Sequence, residues 1–118
     1  IQLKKHSPNL TVESVRTLSY CLTELLKHGD QYSIGRCALL LAKYYLIESD
    51  DFYNPNEAKN LLCLSKDIFS CLHDTLYLKL TCLYLIFTYN ALAQAEKRKQ
   101  TAKEYRQIQL QIVKPVLI

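Results

Sequence analysis

Glycine and proline are scarce here, two of the first and three of the second in 118 residues. That leaves little material for hairpin turns, sheets or phosphate-cradling loops, and it favours long helices. Methionine is absent, position 1 included, so the chain as given lacks an initiator; it is expected to be a segment of a longer protein and is silent on any removed targeting signal. Apolar runs such as Leu83–Phe87 fall far short of a membrane span. There is no CxxC, no Gly-rich loop, no pair of carboxylates in an apolar setting, and no Ser, Cys or His triad with supporting residues. No catalytic residue, cofactor site or metal ligand is therefore assigned, and the expectation is a protein that is not an enzyme.

What the chain has in quantity is apolar side chains. At 49% hydrophobic and 22% charged, with net charge +4, it has the balance of one soluble globular domain with a real core. All-α is the expected class. The five cysteines, Cys21, Cys37, Cys63, Cys71 and Cys82, are an odd count scattered over apolar faces. They suit free buried thiols in a reducing compartment, hence an intracellular, cytoplasmic or nuclear setting. The three histidines, His6, His28 and His73, fall in a tail and at helix ends, where a cation meets the helix dipole favourably or is simply solvated.

Taken in order, residues 1–9 form a polar lead-in whose Lys4, Lys5, Pro8 and Asn9 suggest extended or disordered chain. A first helix is predicted over 11–28, with Val15, Leu18, Leu22, Leu25 and Leu26 on its core face and Gly29 as its C-terminal cap. Asp30 or Ser33 opens a second helix over 33–49, apolar nearly all round and so buried on several sides. The firmest boundary is the next one. Asn54 can cap, Pro55 suits the first helical position, and Glu57 can reach back to complete a capping box for a helix over 55–72. His73 and Asp74 mark a corner, and a fourth helix is predicted over 75–95. No Gly or Pro follows until Pro115, so its end carries no signal: either one very long helix continues, or, the favoured reading, the chain turns around Arg98–Thr101 into a further helix over 101–113. The final IVKPVLI is too apolar for a free tail and is expected to dock.

Two helical pairs of similar length recur at a period near forty residues, as in stacked helical-hairpin repeats. In the central hairpin Leu41, Ala42 and Tyr45, followed by Ala58, Leu62 and Ser65, resemble the Leu-Gly/Ala-x-x-Tyr and Ala-x(6)-Ala positions of the tetratricopeptide repeat. The resemblance covers about Arg36–Cys71 well and continues weakly through Leu80, Thr81 and Tyr84. It departs in the longer turn at Asp51–Asn54, in the lack of a proline ending the second helix, and in Thr81, where Gly or Ala is usual. It implies antiparallel hairpins stacked as a short superhelix, with Ala42, Ala58 and Ser65 letting paired helices approach closely; the alternative is an irregular helical bundle.

The function so implied is a protein-interaction scaffold or adaptor, a non-catalytic part of a larger complex that holds a partner peptide or helix in a groove beside neighbouring repeats of its parent chain. Carried onto this sequence, the groove is lined by Arg36, Leu39, Lys43, Ile47, Tyr77, Lys79 and Asn90, and its cations suit an acidic segment. A second uncovered face is expected along Lys79, Leu83, Ile86, Asn90 and Gln94 of the fourth helix. The alternative function rests on Lys97, Arg98, Lys99, Lys103 and Arg106, a basic tract that could grip a nucleic-acid backbone or an anionic surface, diluted by Glu96 and Glu104.

Overall fold

The computed structural model describes residues 2–47 and 51–113, with side chains described over 12–47 and 51–111. Five helices follow one another: α1 Gln2–His28, α2 Gln31–Tyr45, α3 Pro55–Cys71, α4 Thr75–Ala91 and α5 Ala95–Val113. No strand occurs among the described residues, and the fold is all-α.

The starts of the three central helices are fixed by side chains that occupy orphan backbone donors. Asp30 Oδ1 accepts from Ser33 N at 2.7 Å, Asn54 Oδ1 from Glu57 N at 3.1 Å, and Asp74 Oδ1 from Tyr77 N at 3.1 Å. The capping box at Asn54 is only half formed. Its own N–H donates to the Tyr45 carbonyl at 2.8 Å, so the Glu57 carboxylate has nothing to reach back for.

Several boundaries move from where the sequence places them. Helix α1 begins at Gln2 and runs through the stretch 1–9 expected as a lead-in. That stretch has no glycine, and its one proline, Pro8, removes a single N–H from the ladder. Helix α2 ends at Tyr45 rather than 49, because Leu46 and Ile47 tighten the last turn by donating to Lys43 O and Tyr44 O, each three residues back. Helix α4 stops at Ala91 rather than 95, and α5 starts at Ala95, before the expected turn at Arg98–Thr101. Gly29 does not take the left-handed conformation of a C-cap glycine. Its missing side chain matters instead for space, since a Cβ there would fall within 2.8 Å of the Leu25 carbonyl oxygen. The expected docking of the final residues lies outside the described residues.

Among the described residues the left-handed positions are His73 and Ala93, at φ 56° and 57°. Each closes its helix the same way. Asp74 N donates to Phe69 O at 3.0 Å and His73 N to Ser70 O at 3.2 Å; Gln94 N donates to Tyr89 O at 2.9 Å and Ala93 N to Asn90 O at 3.1 Å. These bonds take up carbonyls that a helix end leaves orphaned. The two corners lie twenty positions apart, and the burial follows them: Leu61, Thr81 and Thr101 are buried, as are Ile68, Thr88 and Ile108. Three consecutive helices therefore turn the same register inward.

Each helix packs on its neighbours in sequence, and no comparable packing joins α1 to α4 or α5. That is a stack of antiparallel hairpins, consistent with a helical repeat, and not a bundle closed first to last. The core runs along it through Ala38, Ala42, Ala58, Leu62, Phe69, Cys82 and Leu85, each at most 1% exposed. Small residues set the approach of α2 and α3. A Cβ at Gly35 would lie 3.0 Å from the Phe69 ring and 3.1 Å from Ile68 Cγ2. The buried hydroxyls are partnered: Ser65 Oγ donates to Gly35 O at 2.8 Å, and Thr81 and Thr88 to Tyr77 O and Tyr84 O, each at 2.8 Å. Between α4 and α5 the small residues give out, with Arg98 and Tyr105 forty positions beyond Ala58 and Ser65. Lys66 bonds Glu104 at 2.7 Å and ties α3 to α5. No disulfide joins the described cysteines; Cys37 and Cys82 are buried, but Cys21 and Cys71 are exposed rather than set in apolar faces.

Candidate interaction groove

In an up-and-down stack, α2 and α4 point the same way with α3 behind them, and their free faces lie side by side. The rims meet at the N-terminal ends. Tyr77 of α4 stacks on Phe69 of α3 with ring centroids 5.0 Å apart, and Tyr32 of α2 meets Tyr77 edge-on at 5.8 Å. The Arg36 guanidinium stands beside both tyrosines, 5.5 Å from the Tyr32 ring and 5.8 Å from the Tyr77 ring. Two aromatic faces thus fix an exposed cation that keeps its hydrogen-bond donors free. Toward the C-terminal ends the helices part around a cleft of about 460 Å³ lined by Lys43, Leu46, Tyr53, Tyr84, Phe87, Asn90 and Ala91.

One line of exposed residues runs along each helix. On α2 it is Arg36, Leu40 and Lys43, continued by Ile47 just past the helix end; on α4 it is Leu76, Leu80 and Phe87, with the half-buried Leu83 in the same line. The spacing is 4, 3 and 4 in both, which holds each set on one face of a helix. The sets are forty positions apart, residue for residue. The α4 line is wholly apolar, and Leu76 and Phe87 are 70% and 57% exposed. Apolar side chains this open, in one row over three turns, form a surface that water covers at a cost.

The residues singled out from sequence divide. Arg36 and Lys43 are exposed on the groove, Ile47 is exposed at its end, and Tyr77 is half-buried at its rim. Asn90 borders the cleft, and its Oδ1 accepts from Arg98 Nη1 of α5 at 2.7 Å. Leu39 is in the core at 3% exposure, one position round from the exposed Leu40. Lys79 turns away from α2 toward α5, its Nζ 5.6 Å from the Tyr105 ring centroid. It stands forty positions beyond Leu39, so the edge of α4 carries a half-buried cation where α2 carries a core leucine. The face through Lys79, Leu83, Ile86 and Asn90 is therefore partly covered by α5, and the open positions are Leu76, Leu80 and Phe87 beside it. Leu40, Leu76, Leu80 and Phe87 escaped the sequence reading; the forty-residue register of α2 onto α4 is the signal that finds them.

On the alternative surface Lys97, Lys99, Lys103 and Arg106 are exposed, while Arg98 is half-buried and held by Asn90. Lys99 lies 4.0 Å from Glu96. Lys99, Lys103 and Arg106 form a solvated stripe opposite the buried Thr101 and Ile108.

The two buried thiols are set against reaction. Burial pushes Cys37 and Cys82 above the ordinary thiol value, keeping both protonated at neutral pH. Among the described residues no cluster of His, Cys, Asp or Glu is gathered as a metal ion would need, and no helix is long and apolar enough to cross a membrane. Compared with known protein families, with curated proteins and with solved structures, the chain matches none.

Proposed function

We propose that this chain is a protein-interaction scaffold of tetratricopeptide-like build, a non-catalytic part of an intracellular complex that holds a partner segment in the groove between α2 and α4. One observation carries the reading: two parallel helices present rows in identical register, one wholly apolar and one bearing two cations, and every member but the half-buried Leu83 is exposed. A helix spends apolar residues on solvent only at a cost of roughly 25 cal/mol per Å² exposed, which a partner recovers on binding.

Selecting peptides from a displayed random library on the folded chain tests this. Binders should lose affinity when Leu80→Glu or Phe87→Glu is introduced and keep it in Lys99→Glu/Lys103→Glu/Arg106→Glu. Binders indifferent to both groove variants contradict the reading.

The second reading, an anionic partner on the stripe of Lys99, Lys103 and Arg106, is supported by the absence of a carboxylate opposite Lys103 and Arg106 among the described residues. It requires affinity for single-stranded nucleic acid or anionic vesicles that falls steeply with salt and vanishes in the same triple variant.

A further inference from the structure

We infer that the groove is built for a helix, not for an extended peptide, and that its occupant is an amphipathic partner helix with an apolar face toward α4 and carboxylates seven residues apart along the flank facing α2. The inference rests on the scaffold reading above and adds the shape and charge of the partner.

The geometry comes from the cations. Arg36 and Lys43 are seven residues apart on one helix, which places them on the same face about 10 Å apart along the axis. Neither has a carboxylate partner among the described residues. Asp30 and Asp74, at the nearest helix starts, are occupied as caps of α2 and α4. A bound helix lying along the groove repeats that spacing with acids at i and i+7, again about 10 Å apart on one face. An extended chain does not. Side chains on one side of a strand recur every ~6.7 Å, so its acids fall at about 7 or 13 Å and meet both cations only if the Lys43 side chain swings about 3 Å off that spacing.

The apolar row argues the same way. Leu76, Leu80, Leu83 and Phe87 make a ridge about 16 Å long, three helical turns, with the spacing that accepts the ridge of another helix. Arg36 is the stronger anchor, since Tyr32 and Tyr77 hold its planar guanidinium in place before any partner arrives, and a preorganised fork loses less on binding a carboxylate. Lys43 stands at the edge of the cleft that also takes in Phe87, so the second acid and an apolar side chain reach the same place.

Three synthetic peptides of about 18 residues decide the matter: a leucine-faced helix former with glutamates at i and i+7 on one flank, its counterpart with lysines there, and the glutamate peptide broken by a central proline. Fluorescence anisotropy at fixed ionic strength should show the glutamate peptide binding about tenfold tighter than the lysine peptide, the sum expected from two exposed ion pairs becoming repulsive. The preference should reverse in Arg36→Glu/Lys43→Glu, and the proline peptide should bind at least about tenfold weaker. Equal binding of the glutamate and lysine peptides, or of the proline peptide, overturns the helical acidic occupant. If Leu80→Glu still abolishes that binding, the groove itself stands; if Leu80→Glu has no effect, the scaffold reading falls with the inference.

Discussion

Ser65 Oγ donates to the Gly35 carbonyl at 2.8 Å in a fully buried contact that fastens α3 to α2. Both residues are small for the same reason: α3 lies against α2 with the Phe69 ring over Gly35. Gly35→Val should therefore overpack the crossing and cost about 1–3 kcal/mol, and Ala42→Leu and Ala58→Leu, at fully buried positions, should cost a similar amount. Ser65→Ala should cost about 1 kcal/mol for the lost bond. Chemical denaturation of the four variants measures this, and unchanged midpoints in the first three would show that the helices are not in close contact.

The turn between α4 and α5 is the weak corner. Gln94 holds the position that Asp74 and Asn54 occupy one and two corners earlier, but its Oε1 is buried and without a hydrogen-bond partner among the described residues. Its side chain is one methylene too long to cap. Gln94→Asp should supply the missing acceptor and stabilise the chain by about 1 kcal/mol. Ala93→Gly should add about 0.5–1 kcal/mol by relieving a left-handed alanine. A thermal melt that shifts down for both would contradict this description of the corner.

Alkaline pH should loosen the contact between α3 and α4. Burial, followed by the neighbouring Cys63, pushes the Tyr89 hydroxyl up to about 12 from its ordinary value near 10. The unfolded chain gives up that proton first. Stability from Tyr89 is thus complete below pH 10 and is lost as pH rises through 12. In Tyr89→Phe the loss of stability between those pH values should be smaller than in the parent. An identical slope in both would show that Tyr89 ionises freely in the folded chain.

Much of this fold is legible in the residues, and the illegible parts have causes. The capping residues Asp30, Asn54 and Asp74 each announce a helix, because a short polar side chain before an apolar run has few other uses. The end of α4 is hidden because the left-handed residue that closes it is Ala93, not glycine, and alanine reads as helix in any propensity scale. Only its correspondence with His73, twenty positions back, betrays it. Gly35 is hidden for the opposite reason: a glycine inside a helix reads as a flaw until the Phe69 ring is seen over it. Of the residues expected to line the groove, Arg36, Lys43 and Ile47 are exposed, whereas Leu39 is buried and Lys79 faces α5, because an all-round apolar helix does not say which side its neighbours cover. That information lies in the packing order of the helices, which places α5 over Lys79 and leaves Leu76, Leu80 and Phe87 open.

The central claim is that the rows on α2 and α4 form one binding surface, and its most direct test is a nitrogen-15 correlation spectrum of the labelled chain titrated with a peptide selected on it. The amides of Arg36, Leu40, Lys43, Ile47, Leu76, Leu80, Leu83 and Phe87 should shift together with a single saturation curve, while those of Lys99, Lys103 and Arg106 stay in place. Shifts concentrated on Lys99, Lys103 and Arg106, with the two rows unmoved, would contradict it.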